Sequence, residues 1–158
     1  EVITNLRVLK RSRTQPHSGD VFAMQLPDGT YLFGRVIRDN VAGPVPGATL
    51  IYIYSVQSST IRADLSQLGV DKLLIPPTFP NRMPWTRGYF VNVASAPLRG
   101  EDCLPKHCFW TGKGGSFVDE WGDRLEREVP PTGFFGLTSY RMVDDLISDV
   151  LGIPRAPD

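Results

Sequence analysis

An Asp28-Gly29 turn between two β-rich runs constrains the fold of this chain more than any other feature. The runs cover residues 21–26 and 31–37, and both are rich in aromatic and branched side chains. Because glycine accepts the positive φ that a tight turn needs, the pattern predicts an antiparallel hairpin. Gly34, inside the second run, indicates a bulge or the close approach of another backbone.

Further β-rich runs alternate with turns along most of the remaining chain. Glycine and proline together make up 29 of the 158 residues, which is typical of a turn-rich fold with short strands. The patterns predict a central strand at 49–56, a short helix within 58–69 capped by Ser59 or Thr60, strands at 72–75 and 88–94, and a second hairpin that joins 107–111 to 116–122 through the glycine turn 112–115.

The one strong helix signal lies near the end of the chain. Ser139 can cap a helix there, and Gly152 can end it. Its apolar positions fall on one stripe (Met142, Val143, Leu146, Ile147, Val150 and Leu151), with Asp144, Asp145 and Asp149 toward the other side. The chain is therefore expected to be a single α+β domain over 1–158. Its bent antiparallel sheet, or partly open barrel, packs against the C-terminal helix, and residues 1–18 form a flexible or edge leader.

The distribution of charge separates the last third of the chain from the rest. Lys and Arg number 17, as do Asp and Glu, so the net charge is zero and shows no basic excess for coating nucleic acid. Residues 101–158 nevertheless carry eleven acidic and six basic side chains. This asymmetry predicts an acidic surface near 119–128 that faces a basic partner.

Candidates for catalysis or metal binding are sparse. His107 adjoins Cys108 and follows Cys103 by four residues, but neighbouring strand residues point to opposite faces. A fourth zinc ligand is absent nearby. We therefore expect two free thiols, no catalytic residue, no metal and no cofactor. A small hydrolase that uses Cys103 or Cys108 as a low-pKa nucleophile stays an alternative. No apolar run is long enough to span a membrane.

Binding residues are predicted from charge and from aromatic side chains in loops. Trp85 and Trp121 lie in Pro- and Gly-rich segments, where an exposed aromatic ring is often a contact residue. The predicted contact set joins them to the late acidic residues: Trp85, Asp119, Glu120, Trp121, Asp123, Glu126 and Glu128.

Three ordered segments resemble immunity protein family twenty-six. They are the opening hairpin from Gly19 through Val36, Trp85–Phe90 and the ending Gly152–Pro154. The resemblance implies an antidote of a bacterial polymorphic toxin system that acts in the cytoplasm and binds the C-terminal domain of a cognate toxin. It implies no catalytic residues and leaves the chemistry of the toxin open. The acidic last third suits a basic toxin of the nuclease type.

A nucleic-acid-binding module is the alternative from a different class. A small barrel with aromatic residues and the basic side chains of Lys10, Arg11 and Arg13 could bind single strands by stacking. The zero net charge argues against it, so binding to a protein partner is the preferred hypothesis.

Overall fold

The structure is a computed structural model that describes residues 3–112 and 114–158. In chain order its strands are β1 (Asp20–Gln25), β2 (Tyr31–Val41), β3 (Ala48–Ile53), β4 (Phe79–Pro80), β5 (Val91–Ser95), β6 (Cys108–Trp110), β7 (Phe117–Val118), β8 (Thr132–Phe134) and β9 (Leu137–Thr138). The α-helices are α1 (Met83–Thr86) and α2 (Tyr140–Leu151). The strands form an antiparallel sheet in the order β3-β2-β1-β5, a parallel β4-β9 pair and a mixed β7-β6-β8 sheet.

The predicted opening hairpin is confirmed. β1 pairs with β2 in antiparallel register, with Gln25 opposite Tyr31. Gly34 is a point of close approach, because a Cβ atom there would lie 2.2 Å from the Phe22 ring. The bare glycine thus leaves room for Phe22 to stack on Phe90, with ring centroids 4.4 Å apart. The hairpin therefore supplies the centre of the main core as well as two strands.

The segment after β2 corrects two predictions. β3 is buried throughout, but it ends the four-stranded sheet instead of lying at its centre. Its outer edge is covered, since Ile51 and Thr78 exchange backbone hydrogen bonds of 3.0 and 3.2 Å. The predicted helix within 58–69 is wrong: a single 3₁₀ turn forms at Leu65–Gln67, capped by Asp64. Residues 72–75 form one isolated bridge at Leu73 in place of a strand.

The second hairpin is confirmed and gains a partner that local patterns did not indicate. Phe109 lies opposite Val118 across β6 and β7, and β8 joins β6 in parallel. The predicted glycine turn between the two strands includes Lys113, which lies outside the described residues. The parallel pairings depend on contacts between segments more than 20 residues apart, which short-range turn signals do not reveal.

The main sheet is buried on both faces, in keeping with the alternation of side chains along a strand. One face carries Phe22 and Met24 and packs against Val143 and Ile147 of α2. The opposite face packs against the smaller sheets, and its core residues include Val21, Ala23, Tyr52, Phe79 and Phe109. Within residues 3–112 and 114–158 the sheets stay open and do not close into a barrel, so the fold is α+β with a C-terminal helix, as predicted.

Helix α2 confirms its predicted ends but not its predicted faces. The Ser139 hydroxyl accepts a hydrogen bond from the Met142 amide, and Gly152 ends the helix with φ 71°. Of the apolar stripe, Val143 and Ile147 are buried, whereas Met142, Leu146 and Val150 are exposed. Neither helix of the described residues has the length and apolar character needed to cross a bilayer.

Asp144, which the pattern placed toward the polar side of α2, is completely buried. Its carboxylate accepts the backbone amides of Asn5 and Leu6 at 2.9 and 2.7 Å. Burial raises the pKa of Asp144, and these two amides offset that rise only in part. The described part of the leader is therefore fastened to the C-terminal helix, and Leu6 joins the main core.

Candidate functional site

The loop that follows β7 holds most of the predicted contact residues in a fixed conformation. One Asp119 carboxylate oxygen accepts the amides of Trp121 and Asp123 at 3.0 and 2.9 Å. The Asp119 amide donates to the Asp123 carbonyl at 2.9 Å, and Gly122 takes the positive φ of 89° that this turn requires. Asp119 therefore shapes the loop, and a binding partner would meet the loop already ordered.

Trp121 is the exposed aromatic residue of this loop. The residue is 49% exposed, and the guanidinium carbon of Arg38 lies 5.1 Å from its ring centroid. The Arg38 Nε atom lies 3.4 Å from a carboxylate oxygen of Glu120, which holds the guanidinium in place. Tryptophan and arginine are the side chains that most often dominate the energy of protein interfaces. The two side chains thus form an ordered aromatic–cation pair on the surface.

Glu120 faces the interior, which corrects its predicted role as a surface contact. It is 4% exposed, and its carboxylate lies 2.5 Å from His107 Nδ1. Burial raises the pKa of Glu120, but His107 and Arg38 outweigh that effect and hold the pKa below its ordinary value. On the other side of the imidazole, Nε2 lies 2.6 Å from the Tyr52 hydroxyl. Glu120 therefore anchors the loop from beneath Trp121.

The chain Glu120–His107–Tyr52 resembles an acid–base relay in composition but is built as a structural link. All three side chains are buried, and the Tyr52 oxygen accepts the Leu104 amide at 3.0 Å. Burial also raises the pKa of the Tyr52 hydroxyl, which disfavours its ionisation. The cluster ties β3 to the second hairpin.

This cluster was missed in the sequence, although a signal for it was present. Phe109 faces Val118 across β6 and β7. Extending this antiparallel register by two residues brings His107, which precedes β6, opposite Glu120, which follows β7. Assigning a register to the predicted hairpin would therefore have predicted contact between these two side chains. The identity of the third member, Tyr52, depends on a strand 55 residues earlier in the chain.

The two cysteines are the residues on which the hydrolase alternative depends. Both are free thiols, as predicted. Burial raises the pKa of the Cys103 thiol, whereas a nucleophilic cysteine needs a lowered pKa. The buried Cys108 sulfur instead accepts the Val129 amide at 3.4 Å. The thiol-hydrolase alternative therefore receives no support from the geometry. In the described part of the chain, no group of three His, Cys, Asp or Glu side chains is placed to hold a metal ion.

Trp85 is a core residue, which corrects the prediction that it is an exposed loop aromatic. It lies in α1, is 2% exposed, and meets the Phe22 and Phe90 rings edge-on at 5.3 and 5.1 Å. Its indole N–H donates to the Asn92 side chain at 3.0 Å. Prolines around this tryptophan suggested a loop, but Pro84 instead occupies the first turn of a short helix.

The eleven carboxylates of residues 101–158 do not form one acidic surface. Three are buried (Asp102, Glu120 and Asp144), four pair with arginine (Glu101, Asp145, Asp149 and Asp158), and Asp119 fixes its loop. Among the described residues, this leaves Asp123, Glu126 and Glu128 exposed and without an ion pair. Lys106, Arg124 and Arg127 line the same surface depression as Glu126, so charge alternates there.

An apolar cleft adjoins the acidic residues. It has a volume of about 370 Å³ and lies between β8 and the exposed face of α2, where Phe134, Met142 and Leu146 contribute to its lining. Phe134 is 53% exposed. The Thr132 hydroxyl, also in the lining, donates to the Glu128 carboxylate at 2.8 Å. The cleft therefore has an uncompensated carboxylate at its border.

Comparison with known protein families finds one family that matches most of the chain. Residues 17–118, which contain the main sheet and the second hairpin, match the family described as Immunity protein 26. The chain therefore belongs to the immunity protein 26 family. The matched segment includes the opening hairpin and the segment Trp85–Phe90, whereas Gly152–Pro154 lies beyond it. No curated protein and no solved structure matches the chain.

Proposed function

We propose that this protein is a stoichiometric antidote that binds the C-terminal domain of a cognate toxin and catalyses no reaction. It would act in the cytoplasm of a bacterium that carries a polymorphic toxin system. Membership of the immunity protein 26 family is the observation that carries this proposal. The absence of a solvent-accessible nucleophile–base pair among the residues discussed above is consistent with a binding role.

The toxin contact is proposed at Trp121, Asp123, Glu126 and Glu128, together with Arg38. Trp121 is exposed, ordered by Asp119 and stacked by Arg38, so its burial would cost little conformational entropy. Asp119 and Glu120 support this surface through their hydrogen bonds and are positioning residues. The apolar cleft beyond Thr132 extends the surface and would take apolar side chains of the same toxin.

The charges of this surface favour a toxin with basic groups. Asp123, Glu126 and Glu128 would attract such groups, and opposed potentials accelerate association. A nuclease-type toxin, which needs basic residues to hold its substrate, fits this requirement. The alternating Lys106, Arg124 and Arg127 would restrict the match to toxins with a complementary pattern.

Association kinetics would test the proposed surface. Replacing Asp123, Glu126 and Glu128 by Lys is expected to slow association with the cognate toxin by about tenfold or more at low salt. A matched control changes three other exposed acids, Asp71, Glu101 and Asp158, to Lys and thus alters net charge equally. Equal slowing in both variants would indicate only a general charge effect. An unchanged rate in the first variant would place the contact elsewhere.

Protection of cells would test the function itself. Co-expression should rescue cells from the toxin, and the Cys103→Ala variant should rescue equally well because no thiol chemistry is involved. A folded variant of Cys103 or His107 that loses all protection would contradict stoichiometric inhibition. The nucleic-acid alternative predicts salt-sensitive gel shifts with plain DNA or RNA, but Trp85, the tryptophan next to its basic residues, is buried.

A further inference from the structure

A cleft lined mainly by arginine lies on the surface formed by the leader and α1. Its lining comprises Arg11, Ser12, Arg13, Thr86 and Arg87, and its volume is about 480 Å³. We call it the arginine cleft. None of these residues belongs to the proposed toxin contact, so the cleft needs its own explanation.

Backbone hydrogen bonds bring two distant basic segments together at the cleft. The Leu9 amide donates to the Gly88 carbonyl at 2.8 Å, and the Ser12 amide donates to the Trp85 carbonyl at 3.0 Å. A Cβ atom on Gly88 would lie 3.1 Å from the backbone nitrogen of Arg11, so glycine at this position lets the two backbone segments approach closely. The leader therefore packs against α1 and the residues after it, and it forms one side of the cleft.

A fourth arginine, Arg82, borders the cleft and contacts the backbone of one of its lining residues. The Arg82 guanidinium donates to the Arg13 carbonyl at 3.0 Å. Arg11, Arg13, Arg82 and Arg87 are all exposed, and within the described ranges none has a carboxylate within 4.0 Å. Three arginines therefore line this cleft and a fourth borders it, all without a carboxylate partner, in a chain whose net charge is zero. Such an arrangement favours an anionic ligand over a neutral or cationic one.

We propose that the arginine cleft binds the phosphate group of a small ligand. Guanidinium groups match phosphate oxygens in bidentate pairs, and several of them around one cleft suit a phosphate dianion better than they suit a carboxylate, which carries one charge. The Ser12 oxygen accepts the Thr14 amide, which leaves its proton for a ligand oxygen. The volume lies in the ordinary range for small-molecule sites. The zero net charge disfavours a long polyanion.

Calorimetric titration of the full chain would test this site and distinguish its possible ligands. Inorganic phosphate, pyrophosphate and adenosine monophosphate are titrated separately at constant ionic strength, with chloride as the reference anion. We expect saturable binding of one ligand per chain. Tighter binding of the nucleotide than of free phosphate would identify a phosphate ester as the ligand, and the reverse order would identify the free ion.

Two double variants separate the site from general electrostatics. Arg11→Gln with Arg87→Gln is expected to weaken binding at least tenfold, whereas Arg124→Gln with Arg127→Gln, which removes the same charge elsewhere, should leave it within twofold. If the first variant fails to fold by circular dichroism, Arg13→Gln alone should still weaken binding several-fold. Protection from the toxin should survive in the folded Arg11/Arg87 variant, so this test is independent of the proposed function.

Several results would overturn the proposal. They are no saturable binding of any of the three anions, equal weakening in both double variants, or stronger binding of an acidic peptide than of phosphate. Binding to single-stranded oligonucleotides that strengthens with length and falls steeply with salt would instead identify a nucleic-acid surface.

Discussion

Two tryptophans with similar sequence surroundings have opposite environments in the folded protein. Trp85 packs edge-on against both Phe22 and Phe90 in the main core, whereas Trp121 lies on the surface against Arg38. Both follow or precede Pro and Gly residues, so local composition does not separate them. Only the contacts and burial of each side chain show that Trp85 belongs to the core and that Trp121 is exposed.

Replacing each tryptophan by alanine should therefore have opposite consequences. Trp85→Ala is expected to lower the free energy of unfolding by about 3–5 kcal/mol, because it leaves a large cavity. Trp121→Ala should change it by less than about 1 kcal/mol and weaken toxin binding instead. Urea denaturation and toxin-binding measurements on both variants provide the check. A strongly destabilised Trp121 variant would contradict this assignment.

Glu120 should make stability depend on acid pH. Its pKa in the folded protein is lower than the ordinary value of 4.5, so the folded state binds its proton less readily than the unfolded chain does. The resulting stabilisation is complete above the ordinary pKa and is lost as the pH falls through the lowered value. We expect Glu120→Gln to lower the free energy of unfolding by about 1–3 kcal/mol at neutral pH.

The difference between wild type and Glu120→Gln should shrink as the pH falls below the ordinary pKa of Glu120 and through its lowered value, measured by urea denaturation across the acid range. Glu126→Gln, a change of the same kind at an exposed carboxylate, serves as the control and should show little difference at any pH. A gap between wild type and Glu120→Gln that stays constant from neutral to acid pH would refute the proposed origin.

At the level of elements, α2 shows that an apolar stripe does not identify the buried face by itself. The stripe is wider than the contact with the sheet, so Val143 and Ile147 are buried while Met142 and Leu146 line the apolar cleft. The leader occupies the adjoining side of the helix through Asp144, Asn5 and Leu6. The helix thus contacts two distant segments and retains an exposed apolar edge.

Removal of the Asp144 carboxylate should detach the leader from the helix. Asp144→Ala leaves two backbone amides without their acceptor and is expected to cost about 1–3 kcal/mol of unfolding free energy. Hydrogen exchange at Asn5 and Leu6 should accelerate more than exchange in the β1–β2 hairpin. Asp145→Ala, next to it on the helix and only partly buried, should cost less than about 1 kcal/mol. Unchanged exchange at Asn5 and Leu6 would contradict this anchoring role.

At the scale of the whole molecule, the main sheet is enclosed by two separate cores. α2 covers one face, and the smaller sheets with Phe79 and Phe109 cover the other. The two cysteines lie on the side of the main sheet that the smaller sheets cover, which we call the second layer. Cys108 is fully buried in β6, and Cys103 packs against the core residues of this layer. Their reactivity therefore reports on the integrity of that layer.

Thiol labelling should follow the opening of the fold. In the native protein at neutral pH, Cys103 should react with iodoacetamide more slowly than free cysteine, because burial raises its pKa. Cys108 should react only through an opening of the structure. Mass spectrometry with increasing urea should show both sites labelled together at the unfolding transition. Rapid labelling of Cys103 in the native state would revive the thiol-enzyme alternative.

Much of the fold was predictable because its signals are local. The Asp28-Gly29 hairpin, the second hairpin and both ends of α2 follow from residues within a few positions of one another. Turn and cap geometries require particular side chains at fixed spacings, so these elements are written in short stretches of sequence. The same register also contained the His107–Glu120 pair, which a local reading could have found.

Burial and charge pairing were decided by the tertiary structure. Asp144 meets its partners 138 and 139 positions away, and the arginine cleft joins residues 11–13 to 86–87. The acidic excess of the last third does not form one acidic surface, because several of its carboxylates are buried and others pair with arginine at separate places in the molecule. The sequence by itself determined the local turns, caps and family. Which side chains face solvent depends on free energies summed over neighbours that only folding brings together.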